Sequence, residues 1–271
     1  MNSSSQSGKA GSRQEQRHRQ VTEAVMSAGT VAIEDLARMF GVSVMTIHRD
    51  LDQLEAQNVL RKSRGVATAL PSSTVESNDA YRRGQQRAEK RDLAAAAIDF
   101  IQPGQTLMLD DSTTVLPLLD LLCTRAPLTV ASNNLSVFNG LVDTEHIELV
   151  LIGGEYRKWC NAFMGQMTLD AIAALHADVL MMSTSAVTGN ACYHQRQDTI
   201  SIKRALLDAA EKAILLVDHT KFERRAMFRL CGLADFDHVI VDSATPDATV
   251  DALRQQHGSV TVAPAQATHG A

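Results

Sequence analysis

Two groups of side chains in this 271-residue chain have the types and spacing to do chemistry. The first is Ser43, Met45, Thr46, His48 and Arg49, followed by Arg61, Lys62 and Arg64. Arg49 suits a bidentate contact to guanine or a phosphate, Ser43 and Thr46 suit hydrogen bonds to phosphates or bases, and the later cations suit contacts to a nucleic-acid backbone or an adjacent groove. The second group is a series of short polar segments: Asp110-Asp111-Ser112-Thr113-Thr114, Ser132-Asn133-Asn134, Gly153-Gly154, Ser183-Thr184-Ser185 and Asp218-His219-Thr220-Lys221. Hydroxyls and backbone amides that converge at a helix start bind anions, and Lys221 would neutralise a phosphate from another loop as a point charge. Asp110 or Asp111 would accept hydrogen bonds from sugar hydroxyls.

The first group needs a rigid helix to present it. Arg13 to Ala28 is a polar, helix-favouring stretch with Val21, Val25 and Met26 on its inner face, and it stops at Gly29. Ile33, Leu36, Ala37 and Phe40 then recur at helical spacing up to Gly41, which can adopt the left-handed conformation of a tight turn. Ser43 is placed to cap a third helix, in which Val44, Ile47, Leu51 and Leu54 form the inner stripe and Met45, Thr46, Arg49 and Gln53 the outer one. Helix, Gly-containing turn and capped helix make a helix-turn-helix, and Leu60 to Leu70, turning at Arg64-Gly65, reads as a β-hairpin wing. The same periodicity also fits a small bundle that contacts protein, with Arg49 and Thr46 on a merely solvated face.

The second group needs a sheet. After the Ser/Asn-rich stretch 71–80, read as a linker, a helical run from Tyr81 to Phe100 opens an alternation of short β-type and helical segments. Strands are expected at Thr106–Leu109, Leu128–Ala131, Glu148–Ile152, Val179–Met182, Ala213–Val217 and Val239–Val241, giving an open, mostly parallel α/β sheet with helices on both faces. In such sheets ligands bind outside the carboxyl ends of the strands, where the polar segments converge. Two readings stay open there. Ser112 and Thr113 either cradle an anion or only cap a helix, and Gly153-Gly154 marks either close approach of backbone to ligand or a plain turn. The expected domains are a disordered tail at 1–12, a winged helix-turn-helix at 13–70, the linker at 71–80, the α/β domain at 81–257, and at 258–271 a last strand, Ser259–Ala263, with a frayed tail.

Composition narrows the classes. Residues 1–70 hold nine Lys and Arg against seven Asp and Glu, whereas the rest holds 17 against 24, as suits a protein that meets DNA with one end. No run approaches the roughly 20 apolar residues of a membrane span, and Met1 to Ser12 lacks a signal peptide's apolar stretch, so the expected location is the cytoplasm. Cys123, Cys160, Cys192 and Cys231 form no C-x-x-C pair and the nine histidines no ligand cluster, so neither a metal nor another cofactor is expected, and the thiols read as buried side chains. There is no G-x-G-x-x-G and no P-loop motif.

Taken in order, these segments closely resemble the DeoR family of bacterial regulators. The head matches at Val31-Ala32-Ile33-Glu34-Asp35-Leu36-Ala37, Phe40-Gly41-Val42-Ser43 and Thr46-Ile47-His48-Arg49-Asp50-Leu51 with Leu54-Glu55. The larger domain matches at Leu109 to Thr114, Val130-Ala131-Ser132-Asn133, Ile152-Gly153-Gly154, Phe163-Met164-Gly165 and Asp218-His219-Thr220-Lys221-Phe222. The resemblance implies a sensor related in fold to ribose-phosphate isomerases but used for binding, a sugar-phosphate effector that changes operator affinity, and usually a homo-oligomeric repressor of carbohydrate genes. It puts phosphate contacts on Ser112, Thr113, Thr114 and Lys221, with Ser132, Asn133, Gly153 and Gly154 lining the site. The chain departs from the family pattern at His48, where arginine is common, at Arg64-Gly65-Val66 in the wing, and in the loop from Ser183 to Gln195. The alternatives are an enzyme that isomerises or hydrolyses a sugar phosphate, with Asp110, Asp111 or Asp218 as base, and a partner-binding module.

Overall fold

The computed structural model describes residues 5–28, 30–57, 59–69, 76, 77 and 79–266. The chain divides into two compact units, Met1–Pro71 with Val75–Ala80, and Ser72–Thr74 with Tyr81–Ala271. The division falls within the stretch expected as a linker, of which residues 71–75 and 78 lie outside the described residues, as do Gly29 and Leu70.

The first unit runs α1 (Ser5–Ala28), β1 (Thr30–Ala32), α2 (Ile33–Phe40), α3 (Val44–Ala56), β2 (Leu60–Ser63) and β3 (Val66–Ala69). Helix α1 starts at Ser5 rather than Arg13, so it takes in most of the stretch expected to be disordered. That stretch has no proline to stop a helix, and Gln6, Lys9 and Ala10 favour one. Val21 and Val25 of α1, Ile33 and Leu36 of α2, and Ile47, Leu51 and Leu54 of α3 fill one core. Gly41 ends α2 at φ 62°, its N–H returning to the Arg38 carbonyl at 3.4 Å. The wing is an antiparallel sheet in the order β1-β3-β2, tied to the start of α2 by the bond from the Ile33 N–H to the Gly65 carbonyl at 2.9 Å.

The division falls within α4 (Asp79–Gly84), which is followed by α5 (Arg87–Ala97) where a single helical run was expected from Tyr81; Gln86, at φ 47°, breaks it. The elements β4 (Thr106–Leu109), β5 (Leu128–Ser132), α6 (Leu135–Leu141), β6 (Ile147–Leu151), β7 (Glu155–Arg157), β8 (Ala162–Met164), α7 (Gln166–Ala173) and β9 (Ala177–Met182) follow. The chain continues through β10 (Ala186–Thr188), β11 (Ala191–His194), α8 (Gln197–Asp208), β12 (Ala210–Val217), β13 (Phe228–Gly232), β14 (His238–Asp242), α9 (Asp247–His257) and β15 (Val260–Ala263). Seven strands, all paired in parallel, form one sheet in the order β15-β14-β12-β9-β4-β5-β6. These are the seven strands expected from the sequence. The last of them holds its register against β14 and buries Ala263 instead of fraying, while residues 267–271 lie outside the described residues.

Side chains alternate faithfully across this sheet. Leu107, Leu109, Val179 and Met181 face a core shared with α5 and α6, while Met108, Leu180, Met182 and Leu215 face another shared with α7, α8 and α9. Both faces of the central strands are thus covered, which is why Leu107 to Leu109, Val179 to Met182 and Ala213 to Val217 read as unbroken apolar runs, whereas the edge strand β6 carries Glu148 and is partly exposed.

Two departures bear on the site. The loop at Asp111 to Thr114 leads into two short 3-10 helices, Leu116–Asp120 and Leu122–Arg125, and not into an α-helix. The segment after Ser183, which reads as a loop in the sequence, is the hairpin β10–β11, joined by β13 into a small antiparallel sheet.

Candidate functional site

On α3 the residues expected at a groove separate from those that anchor the helix. Ser43 caps it, its Oγ accepting from the Thr46 N–H at 3.1 Å and lying 2.9 Å from the Thr46 hydroxyl. Met45 is 63% exposed and Arg49 is exposed, with Thr46 and His48 half-buried beside them. Val44, expected on the inner stripe, is 42% exposed, because as the first helical residue it precedes the part of α3 that packs. The buried face of α3 also holds an unexpected group, Asp50, which is 1% exposed. Arg17 grips this carboxylate with two hydrogen bonds, at 2.5 and 3.0 Å, and His18 Nε2 lies 3.0 Å away. Burial alone would push the Asp50 carboxyl up, but the bonds from Arg17 and His18 outweigh it and hold it below its ordinary value.

The wing cations differ among themselves. Arg61 and Arg64 are exposed, and no ion pair engages them or Arg49 among the described residues. Lys62 is ion-paired with Asp52, and its backbone N–H donates to Glu55 at 3.0 Å.

In the larger unit the strand order reverses between β4 and β9, and the carboxyl ends of these two strands diverge into the polar segments. This is the position at which open α/β sheets form a crevice. Asp110 lies beneath it, fully buried. One of its oxygens accepts from the Ser112 N–H at 3.0 Å, and the other from the Ser183 N–H at 3.0 Å and from the Lys203 ammonium. Lys203, from α8, also lies 3.0 Å from Asp111 and donates to the Ser183 carbonyl at 3.2 Å. Burial favours neutral Lys203, yet the two carboxylates beside it raise it above its ordinary value; burial likewise opposes ionised Asp111, and Lys203 with Arg82 and His194 overcomes that and lowers it.

Beside this cluster sits a second one rich in cations. Lys90, on α5 and only 4% exposed, donates to the Arg82 carbonyl at 2.6 Å and to the Thr113 hydroxyl at 3.0 Å. Burial lowers Lys90 to about 7, helped by the charges of Lys221, Arg82 and Arg224 and opposed by that of Asp218. Asp218 lies 3.6 Å from Lys221 and accepts from the Thr220 N–H at 3.2 Å. Burial works against its charge, and Lys221 and Thr220 prevail, holding it low.

The remaining expected residues differ in what they do. Ser132 Oγ donates to the Leu109 carbonyl at 2.7 Å and accepts from the Asn134 N–H at 3.0 Å, so it ties β5 to β4. Asn133 donates to the Phe163 carbonyl at 2.8 Å. Thr114 is buried. At Gly154, with φ 148°, a Cβ would lie 2.0 Å from the Thr168 hydroxyl, which donates to the Gly153 carbonyl at 2.9 Å. The close approach there is to α7, which accounts for the glycine without a ligand. Four buried polar atoms, Ser112 Oγ, Ser183 Oγ, Asn133 Oδ1 and Asn134 Nδ2, have no hydrogen-bond partner, and buried atoms of this kind are normally satisfied.

Sequence reading missed Arg82, Lys90, Lys203 and Asp50. The α-helix starts expected at the polar segments are not all present, since the segments following β4 and β12 are short 3-10 helices and α6 is only seven residues long; positive charge comes there instead from the buried Lys90 and Lys203 and the half-buried Arg82. Of the thiols, Cys160, Cys192 and Cys231 are buried as expected, and Cys160 is pushed up to about 12 by burial; Cys123 is exposed. Among the described residues no cluster of His, Cys, Asp or Glu could hold a metal ion, and no helix is long and apolar enough to cross a membrane.

Comparisons with known proteins bear on both units. The model of the DeoR-like helix-turn-helix domain matches residues 17–73, and that of the DeoR C terminal sensor domain matches residues 85–243. The glycerol-3-phosphate regulon repressor of Escherichia coli (strain K12) is 33% identical over 90% of this chain and 97% of its own. The lactose phosphotransferase system repressor of Lactococcus lactis subsp. lactis is 34% identical over 79% of this chain and 86% of its own. The L-fucose operon activator of Haemophilus influenzae is 28% identical over 88% and 95%. Among solved structures, ribose 5-phosphate isomerase A from Methanocaldococcus jannaschii aligns over 49% of this chain and 53% of its own, with a TM-score of 0.36 and 14% identity. With a head of helix-turn-helix geometry, a sensor-domain match across the sheet and relatives that are regulators over nearly their whole length, the chain belongs to the DeoR family of transcriptional regulators.

Proposed function

We propose that this regulator is a repressor of carbohydrate metabolism genes, acting on a double-stranded DNA operator in the cytoplasm, whose operator affinity changes when a phosphorylated sugar occupies the strand ends of the larger unit. The observation that carries the reading is the pairing, within one chain, of an exposed Arg49 face on a capped α3 with a buried cluster of cations and unspent hydroxyls at the point where the strand order reverses. In the head, Arg49 reads a base edge, Met45 meets an apolar edge such as a thymine methyl, Ser43, Thr46 and His48 bond backbone or bases, and Arg61 and Arg64 contact phosphates. Lys62 adds little, since its charge is already answered by Asp52.

In the sensor, Ser112, Thr113, Thr114 and Lys221 take the phosphate, Asp111 and Asn133 the sugar hydroxyls, and Asp110, Ser132, Gly153 and Gly154 hold the loops in place. The relatives support a phosphorylated effector: the names of two refer to glycerol-3-phosphate and to a phosphotransferase system. A catalytic reading is disfavoured by the carboxylates themselves. Asp111 and Asp218 are held ionised by adjacent cations, which makes them weak bases at neutral pH. A two-fold oligomer is part of the proposal, because a single recognition helix covers only one half-site.

A titration of the purified full chain on DNA from upstream of its own gene, with competitor DNA and a panel of sugar phosphates, tests the reading. A tenfold shift by one compound corresponds to about 1.4 kcal/mol of coupling and supports it. Specific binding that no phosphorylated compound alters overturns the sensor half; binding that is equal on all sequences overturns the operator half.

A further inference from the structure

Neither the operator nor the effector reading uses the cysteines, and two of them face each other. Cys192 on β11 and Cys231 on β13 are directly opposed in the antiparallel register, just before the bulge between Cys192 and Tyr193. Opposed residues of an antiparallel pair send their side chains to the same face, and both thiols enter the apolar core that also holds Val187 and Leu233. There the two thiols meet in a hydrogen bond, with the Thr184 hydroxyl as a further partner of Cys192. Opposed residues have Cα atoms about 4.5 or 5.5 Å apart, according to the kind of pair, and a disulfide spans about 4.4–6.8 Å. Either kind of pair therefore closes with little movement of the backbone.

The structure assigns Cys192 and Cys231 as a dithiol that a small peroxide oxidises reversibly to a disulfide. The assignment stands apart from what the strand ends bind. Cys231 is 6% exposed and Cys192 wholly buried, so the peroxide meets Cys231 first. The partner thiol and burial hold Cys192 well above its ordinary value, which suits it to the second step and not to the first. Cys231 loses its proton to water and its sulfur attacks one peroxide oxygen. The O–O bond breaks, a sulfenic acid forms, and the departing hydroxide takes up a proton to become water. The Cys192 sulfur then displaces the sulfenic oxygen: the S–S bond forms, the S–O bond breaks, and a second water leaves with the Cys192 proton. Two thiols give up two electrons and the peroxide gains them. In a reducing compartment such a pair is oxidised only transiently, the usual pattern of sensing thiols. The new bond pins β11 to β13 at the bulge. Thr184 donates to the Tyr193 carbonyl at 2.9 Å, and its neighbour Ser183 engages Asp110 and Lys203. A short path, Cys192 to Thr184 to Ser183, thus joins the pair to the buried charges at the strand ends.

Cys123 is exposed and would link copies of the chain on oxidation, so the test uses the full chain carrying Cys123→Ser. It is treated with excess hydrogen peroxide, quenched with catalase, unfolded, alkylated and digested, and its disulfides are mapped by mass spectrometry. The expected product joins Cys192 to Cys231, exceeds any link to Cys160 at least tenfold, and disappears with dithiothreitol. The same exposure in guanidinium should lose that preference, because Cys160 and Cys231 lie at similar distances along the sequence from Cys192 and loop closure in an unfolded chain hardly tells them apart. Cys192→Ser should leave Cys231 as a sulfenic acid that dimedone traps, and Cys231→Ser should leave Cys192 unmodified. Should either variant fold poorly, the link map of the Cys123→Ser chain decides alone, with circular dichroism showing that the fold persists during oxidation. Both thiols remaining alkylatable in the folded chain overturns the site. A dominant link to Cys160, a Cys192–Cys231 link that forms only in guanidinium, or passage of either thiol to sulfinic acid without a link overturns it equally.

Discussion

The two units handle charge in opposite ways. The head keeps its working cations exposed and unpaired: Arg49, Arg61 and Arg64 face solvent and engage no acidic side chain among the described residues. The sensor buries its own, with Lys203 locked between Asp110 and Asp111 and Lys90 held beneath the Ser112-Thr113 loop. The difference follows from the partners. A DNA backbone brings a dense array of charge and its own counterions, so exposed cations gain by releasing them. A small anion brings too little to desolvate a site by itself, and needs the cations dehydrated and aimed in advance.

The sharpest way to break this contrast is Lys203→Met. It leaves two buried carboxylates without a counter-charge and should cost about 3–5 kcal/mol in a denaturant titration. If the loss is below about 1 kcal/mol, Asp110 and Asp111 are not the buried, interdependent pair described above. In the head, Arg49→Ala should weaken specific operator binding by about 1–3 kcal/mol, read by fluorescence anisotropy, while thermal stability and anion binding stay unchanged. An equal loss on random DNA would mean that Arg49 reads only phosphate.

A pH series separates the units further. Lys90 falls from its ordinary value of 10.5 to about 7 in the folded chain, so between these limits the unfolded state holds more protons. Stability therefore rises with pH, by about 2 kcal/mol from pH 7 to 9, read by denaturant titration. A flat profile would contradict the buried amine. The smallest effect belongs to Lys62→Ala, below about 1 kcal/mol in both stability and operator affinity, because an exposed pair with Asp52 contributes little and the cation is already occupied. A large loss of operator affinity would show that this lysine exchanges Asp52 for phosphate.

Much of the scaffold was legible in the sequence. Strands buried on both faces are contiguous apolar runs, and Leu107, Met108 and Leu109 give away β4 even though they point to different cores. The helix-turn-helix was legible through Gly41, the Ser43 cap and the 3.6-residue stripe. What escaped were the buried charges. Lys90 stands in a stretch of seven polar residues out of eight, Gln85 to Asp92, that looks like a solvated helix face, and nothing local marks which member turns inward. Lys203 was readable in principle, since Ile200 and Leu206 place it on the apolar stripe of α8. Asp50 likewise falls among Ile47, Leu51 and Leu54. A charge on an apolar stripe demands a buried partner, but the partners lie far off in the chain, at Arg17 for one and at Asp110 for the other. The small sheet of β10, β11 and β13 was missed for a similar reason, its third strand arriving only after α8 and β12.

The Asp50 clamp has a mechanical side. A recognition helix can roll about its own axis without losing much buried area, and a side chain at a radius of about 6 Å then sweeps about 2 Å for every 20° of roll. Base-edge hydrogen bonds tolerate only a few tenths of an ångström. Asp50 adjoins Arg49 but points the other way, and the planar two-point grip of Arg17 on its carboxylate resists rotation as a single bond would not. The inward-facing carboxylate thus acts as a keel for the outward-facing arginine, and α1, through Arg17, sets the steadiness with which α3 is aimed.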